Sequence, residues 1–142
     1  MNIKDLSSKK CVIVIDQYLP VGVIANTAAV LSINLGKMIP EMVGHDHKDY
    51  AGNNHHGITT MAIPILKSSS TLLKELRQAV KAYEPDLTVI DLITATQTTK
   101  SYADYVNQYE NTPLDRLEYL GLALYGELKV VKKFTGSLGL LK

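Results

Sequence analysis

A continuous apolar run at residues 11–15, Cys-Val-Ile-Val-Ile, constrains the fold of this chain more than any other feature. β-Branched residues dominate the run, and no polar position interrupts it. A strand with this pattern has no face suited to water, so it is typical of the interior of a sheet that is covered on both sides. The run therefore predicts an interior strand of an α/β domain.

The residues after this strand predict a turn and then a long helix. Asp16 interrupts the apolar run, and Pro20 suits the first turn of a helix. We expect Gly36 to end the helix, because glycine is common at helix ends and Pro40 follows soon after. Between these limits the apolar residues recur at helical spacing: Val21, Ile24, Ala25, Ala28, Leu31 and Leu35.

The same helix carries a second apolar stripe, formed by Val23, Val30 and Ile33. One apolar face is normally enough to bury a helix against a sheet. We interpret the second stripe as an interface, and a two-fold homodimer is the commonest way to cover such a patch. The alternative is that the polar loop at residues 40–57 folds back over the stripe within one chain.

The rest of the chain alternates strand-like and helical patterns, which is typical of an α/β domain. Pro64 predicts that the second strand lies at an edge of the sheet or contains a bulge. We expect a single domain over residues 1–142, a three-layer α/β/α sandwich with a mixed, mainly parallel sheet of about four strands. The further expected strands are residues 58–66, 87–93 and 117–125, the further expected helices are residues 72–83 and 101–109, and residues 129–141 close the chain.

Composition and charge argue against several classes of partner. The formal net charge is +1, so no overall field favours nucleic acid or an anionic membrane. The first ten residues lack the apolar segment of a signal peptide, and we expect no apolar stretch of the roughly 18 residues that span a bilayer. These patterns favour a cytoplasmic protein. The single cysteine, Cys11, is expected to be a buried small hydrophobe.

All four histidines lie in the polar loop at residues 40–57. His45 and His47 are two residues apart, which places both on one side of an extended segment. They are weak candidates for a metal site, to which Asp46 and Asp49 could add oxygen ligands, because zinc needs three or four converging ligands. We expect a solvated loop without a metal. The glycine-rich phosphate motifs are missing from the sequence as well, and we expect no cofactor.

Polar residues follow two of the predicted strands, at the ends where ligands bind in open α/β sheets. Asp16 follows the strand at residues 11–15, and Asn26 lies in the helix that comes next. A threonine-rich turn at residues 94–99 follows the strand at residues 87–93. We predict a small-molecule site at this edge. Its predicted ligand-binding residues are Asp16, Asn26, Thr94, Thr96 and Thr98.

Two other interpretations of these residues stay open. They are structural if Asp16 caps its loop, Asn26 satisfies buried backbone groups and the threonines cap a helix. They are catalytic if the chain is a hydrolase acting on an ester or amide. In that case Asp16 or Asp91 would be the base and Asn26 would orient the substrate.

The two ends of the chain resemble a known family of enzymes. Residues 10–30 pass from a strand through a loop into a helix that starts Gly-Val-Ile-Ala-Asn-Thr at Gly22, and residues 131–141 read VKKFTGSLGLL. Both segments resemble the type 2 peptidyl-tRNA hydrolases, and the resemblance implies the fold of that family. The hydrolases are thought to use a lysine directly after the glycine. Here that position is Val23, which cannot donate a proton or carry charge.

The whole chain looks closer still to a family of uncharacterised microbial proteins, called domain of unknown function "two thousand". The resemblance rests on Asn26 in the first helix, on the loop at residues 44–53 and on residues 119–126, which read YLGLALYG. We therefore interpret the chain as a ligand-binding or regulatory module on a peptidyl-tRNA hydrolase type 2-like fold that lacks the catalytic lysine. The alternatives are the hydrolase and a structural homo-oligomer.

Overall fold

A computed structural model describes residues 6–142 of the chain. Residues 1–5, on which part of the signal-peptide expectation rests, lie outside the described residues. The described part folds into four helices, a four-stranded sheet and a small two-stranded hairpin. In chain order the elements are β1 (Lys9–Asp16), α1 (Val21–Met38), β2 (His47–Lys48), β3 (Asn54–His55), β4 (Ile65–Ser68), α2 (Ser70–Val80), β5 (Thr88–Ile93), α3 (Tyr102–Glu110), β6 (Tyr119–Glu127) and α4 (Leu128–Thr135).

The sheet has the strand order β4-β1-β6-β5, which confirms the expected mixed sheet of four strands. Strand β1 pairs with β4 in parallel, whereas β6 is antiparallel both to β1 and to β5. The expectation of a mainly parallel sheet is therefore wrong: two of the three pairs of neighbouring strands are antiparallel, because β6 lies between β1 and β5 and runs opposite to both. Strands β1, β4 and β5 nevertheless point the same way, so their carboxyl ends lie at one edge of the sheet.

Strand β1 is an interior strand, as its apolar run predicts, and residues 11–15 are at most 1% exposed. Its alternate side chains enter two separate clusters. Cys11, Ile13 and Ile15 pack in the cluster that contains Leu31 and Leu35 of α1. On the opposite face the cluster contains Val12 and Val14 together with Leu73 and Val80 of α2 and Val131 of α4.

The two edge strands of the sheet have different neighbours. Strand β4 is an edge strand, as Pro64 predicts, and the end of the chain lies along its outer side. The Lys67 amide donates to the Gly139 carbonyl at 2.9 Å, and the Leu141 amide donates to the Ile65 carbonyl at 2.9 Å. At the other edge, β5 is approached by α3, because the Ile93 amide donates to the Tyr105 hydroxyl at 3.1 Å.

Several predicted boundaries shift by two or three residues, among them those of α2 and β6, and two differences have a clear physical reason. Helix α1 continues past Gly36 to Met38, because Gly36 lacks the positive φ of a glycine stop and Pro40 supplies the break two residues later. The strand expected from residue 58 begins only at Ile65. The residues before it bond instead to the preceding loop, since the Gly44 amide donates to the Ile58 carbonyl at 2.9 Å.

Helix α1 also corrects the expectation that no apolar stretch of the chain is long enough to span a bilayer. It has 18 residues with a mean hydropathy of 1.3, which by length and composition matches a segment able to cross a membrane. The core helix of a globular domain passes the same test. Thr27, Leu31 and Leu35 of α1 are buried against the sheet, so part of the apolar surface is used in the core.

Gly121 of β6 lets α1 pack closely on the sheet. A Cβ atom at this position would lie 2.8 Å from Cγ2 of Thr27 and 2.9 Å from the carbonyl oxygen of Val14. Thr27 is fully buried, and its hydroxyl has no hydrogen-bond partner among residues 6–142. The distance between α1 and the sheet is therefore set by steric contact at Gly121 and not by a hydrogen bond of the Thr27 hydroxyl.

We predict that Gly121→Ala lowers the free energy of unfolding by about 1–3 kcal/mol, because the Val14 oxygen belongs to the strand ladder and cannot move aside freely. Urea denaturation measures the change. Gly36→Ala is the matched control, since nothing lies within 4 Å of a Cβ there. It should leave stability unchanged or raise it by up to about 1 kcal/mol. Equal stability of the Gly121→Ala variant and the parent would contradict the packing argument.

Candidate functional site

Asp16 lies at the carboxyl end of β1 and is 9% exposed. Its Oδ1 atom accepts a hydrogen bond from the Tyr18 amide at 3.0 Å, and the neighbouring Gln17 amide donates to the Ser68 carbonyl at 3.1 Å. These contacts hold the turn that leads into α1. Asp16 therefore has a structural role here, as one of the open interpretations states.

The other predicted ligand-binding residues are spread along the same edge. Asn26 is exposed on α1. The threonine-rich turn forms a short 3₁₀ segment, Thr94–Gln97, and the Thr94 amide donates to the Glu118 carbonyl at 2.9 Å. The Thr98 hydroxyl donates to the Ala95 carbonyl at 3.3 Å. Thr96 alone of the five predicted residues lines the cavity described next.

A half-open cavity of about 540 Å³ lies between α1, β5 and the start of α3. Its size falls within the range of about 300–1,000 Å³ that is typical of small-molecule sites. Asp91, a candidate base, lies in its wall, whereas Asp16 and Asn26 do not. The lining residues are Val30, Asn34, Asp91, Leu92, Thr96, Thr99, Lys100, Ser101, Tyr102 and Tyr105.

The lining joins an apolar floor to a polar rim. Leu92 is buried and Val30 is half-buried, and both pack in the cluster under α1. The rim consists of hydroxyl and amide groups with one ammonium group: Asn34, Thr96, Thr99, Ser101 and Lys100. Sequence patterns missed most of this rim. One signal in the sequence could have identified part of the rim. A serine directly before a helix commonly caps it, and here the Ser101 side chain caps α3 by accepting from the Asp104 amide, next to Lys100.

The carboxylate of Asp91 is held by two partners. Arg77 Nε donates to Oδ2 at 2.9 Å, and the Tyr109 hydroxyl donates to Oδ1 at 2.8 Å. Arg77 also bonds through Nη1 to Oε1 of Glu84 at 2.6 Å. The side chains of Arg77 and Asp91 are 17% and 13% exposed. Since both oxygens of Asp91 are engaged, this carboxylate is better suited to joining α2, α3 and β5 than to accepting a proton from a substrate.

Burial raises the pKa of the Tyr109 hydroxyl, and the adjacent Asp91 carboxylate raises this pKa further. Burial is also the main reason that the pKa of Tyr105 is raised. For Arg77, burial alone would lower the pKa, but the hydrogen bonds to Glu84 and Asp91 outweigh burial and raise it. Around neutral pH these tyrosines stay protonated and Arg77 stays charged, so these three groups provide no general base.

Cys11 is confirmed as a buried residue, 1% exposed. Burial raises the pKa of its thiol to about 12. The reactive form of cysteine is the thiolate. Cys11 therefore has no nucleophilic role around neutral pH.

The histidine loop forms the hairpin of β2 and β3. His47 stacks on His55 with ring centroids 5.8 Å apart, and Asp49 Oδ2 lies 2.9 Å from Nε2 of His55. The bond to His55 and the backbone bond from Asn53 lower the pKa of Asp49. His45 contacts the Asp46 carbonyl through Nδ1 at 2.9 Å. Within residues 6–142, no three side chains of histidine, cysteine, aspartate or glutamate form a group suited to a metal ion.

We predict that Arg77→Met lowers the free energy of unfolding by about 2–4 kcal/mol, because it leaves Asp91 buried without its cation. The double variant Arg77→Met/Asp91→Leu should recover most of the loss, since it removes both charges. Lys74→Met on the same helix is the matched control. Its pair with Glu118 is more exposed and 3.8 Å long, and its second bond, to the Asp115 carbonyl, is exposed as well, so we expect a loss below about 1 kcal/mol. Urea denaturation that gives equal losses for the two single variants would contradict this role of Arg77.

The chain is similar to a solved structure and matches a family model. A solved structure of a protein of unknown function, Atu0240 from Agrobacterium tumefaciens str. C58, matches with a TM-score of 0.84 and 22% sequence identity. The match covers 94% of this chain and 97% of that chain. Comparison with curated proteins gives no match. The model of the family described as "Protein of unknown function (DUF2000)" matches residues 9–142, so the chain belongs to this family.

Proposed function

We propose that this chain is a ligand-binding module and that its ligand occupies the cavity between α1, β5 and α3. One observation carries the proposal: a half-open space of about 540 Å³ has an apolar floor and a rim of hydroxyl, amide and ammonium groups. An apolar surface with a few converging polar groups is the usual composition of a small-molecule site. Of the residues predicted from the sequence, Thr96 and Asp91 line this proposed site.

The hydrolase alternative has less support from the geometry. Of its two candidate bases, Asp91 has both oxygens bonded, and Asp16 is bonded to the turn after β1. Asn26, the candidate for orienting a substrate, is exposed on α1 and lies outside the cavity wall. A binding role needs neither a free base nor an activated nucleophile, and for this reason we prefer it.

We also propose that the fold is a three-layer α/β/α sandwich of the type 2 peptidyl-tRNA hydrolase kind. Its support is that α1 packs in the cluster on one face of the sheet, while α2 and α4 pack in the cluster on the other. The order of the resembling segments along the chain agrees with this. Val23 occupies the position of the family's lysine, so we do not assign peptidyl-tRNA hydrolysis to the chain.

The exposed side of α1 supports a second proposal, self-association of two copies of the chain, although only Ile33 of the predicted stripe lies on that side. Val23 and Val30 are half-buried against the core under α1, but Ile33 is 75% exposed and Val21 is 83% exposed. The helix has a single charged residue, Lys37. A face this apolar and this weakly charged suits a copy of itself, because identical apolar faces meet without charge repulsion.

The ligand proposal predicts that a bulky side chain inside the cavity blocks binding. A fragment collection is screened against the parent protein by ligand-observed NMR, and the hits are measured again with Val30→Trp, whose indole occupies part of the cavity beside Leu92. We expect the hits to be lost. Ile33→Trp on the exposed side of the same helix is the matched control and should retain them. Hits that bind Val30→Trp as well as the parent would contradict the proposed site.

The self-association proposal predicts a dimer at micromolar concentration in sedimentation equilibrium. Ile33→Asp should weaken the dimer by about tenfold or more, because the partner would have to bury a charge. Leu114→Asp is the control, because Leu114 is also half-exposed, at 51%, but lies far along the chain, after α3. A monomeric parent, or a dimer unchanged by Ile33→Asp, would reject this interface.

A further inference from the structure

The outer edge of β5 carries backbone groups that have no hydrogen-bond partner among residues 6–142. The Thr94 amide points toward β6, where it donates to the Glu118 carbonyl at 2.9 Å, and the Ile93 amide points away, to the Tyr105 hydroxyl. Backbone groups of alternate residues in a strand point to the same side. The amide and carbonyl groups of Val89 and Asp91 therefore also point away from β6.

In the part of the chain that the structure describes, no hydrogen bond reaches these groups of Val89 and Asp91 from outside the β5–β6 ladder. The opposite edge differs, because the end of the chain lies along β4 and bonds to its residues 65 and 67. An uncovered strand edge is a template for another strand. Tyr105 of α3 reaches this edge at Ile93. Before that point, along residues 88–91, β5 carries neither lysine nor proline, the residues that often protect such an edge.

The cavity lies directly against this open edge. Asp91 and Leu92 of β5, Val30 and Asn34 of α1, and Tyr102 and Tyr105 of α3 line it. The edge of β5 continues beyond the cavity from Asp91 back to Thr88, and we call the cavity and this edge together the groove. Residues Thr88 to Asp91 offer about 13 Å of edge at roughly 3.3 Å per residue, which suits a segment of about four residues.

The charges of the groove define the kind of segment that fits. The negative charge of Asp91 is matched by Arg77 at 2.9 Å. Lys100 has no ion pair among residues 6–142, and the neighbouring rim groups Asn34, Thr96 and Ser101 add polar contacts. A segment with a carboxylate near Lys100 and an apolar side chain over Leu92 would complement both features.

We propose that the ligand of this groove is an extended peptide segment of a partner protein, which adds a strand to the outer edge of β5 and places an acidic side chain at Lys100. This inference rests on the proposed ligand-binding function and names its ligand class. Backbone hydrogen bonds to Val89 and Asp91 supply affinity, as in other cases of strand addition, and the pockets beside the edge select the side chains.

The test uses a displayed library of random heptapeptides, selected on the immobilised full chain. Enriched peptides are synthesised with a fluorescent label and measured by anisotropy. We expect them to contain an acidic residue, and we expect Lys100→Glu to weaken them by about tenfold. Lys37→Glu, an exposed charge reversal on α1, is the matched control and should leave affinity unchanged. Methylation of alternate peptide amides should abolish binding, because it removes the donors that pair with β5.

Amide hydrogen exchange tests the edge itself. In the free protein, the Val89 and Asp91 amides should exchange much faster than those of Ile90 and Leu92, and bound peptide should protect them. Failure to enrich any peptide, or peptides that bind Lys100→Glu or their methylated forms unchanged, would overturn the proposal. Concentration-dependent protection without peptide would show that a second copy occupies the edge and would overturn it too.

These outcomes separate the inference from the proposed function. If fragments bind the parent but not Val30→Trp while no peptide binds, the cavity is a small-molecule site and only the peptide proposal fails. If neither fragments nor peptides bind in a manner sensitive to Val30→Trp, the ligand-binding function fails as well.

Discussion

The antiparallel strand β6 is the constraint on which the rest of the structure depends. It is bonded to β1 on one side and to β5 on the other, and eight of its nine residues are buried. By separating β1 from β5 it leaves β5 at the edge, with its backbone open toward the cavity. At Gly121 it also sets the distance to α1 through the contact with Thr27. The shape of the candidate site is thus a consequence of the strand order.

The ion pair of Arg77 and Asp91 is the second interaction that shapes the candidate site. A carboxylate on the inner side of an edge strand is costly unless it is paired, and here Arg77 from α2 and Tyr109 from α3 both bond to it. The same contacts fix α3 beside β5, and α3 forms one wall of the groove. Asp91 therefore holds α3 in place through its carboxylate, while Lys100 and the hydroxyl groups line the cavity of the proposed site.

Much of the fold could be predicted from local patterns. The buried run at residues 11–15 and the edge position implied by Pro64 each depend on neighbours in sequence, and each is confirmed. The candidate site was predicted less well. Thr96 reaches the cavity, but Asn34, Lys100 and Tyr102 line it only because α1 and α3 lie on either side of it, and the position of two helices that are far apart in the chain leaves no pattern in the sequence.

The sequence by itself indicated the four strands of the main sheet and the helices α1, α2 and α3, that β1 is interior, and to which family the chain belongs. These properties follow from the period of apolar residues, from turn and cap chemistry and from the order of motifs. The tertiary structure alone decided the direction of β6, the partners of Asp91 and the open edge of β5. Each of these depends on contacts between residues far apart in the chain, and a strand with both faces buried carries the same apolar pattern whichever way it runs.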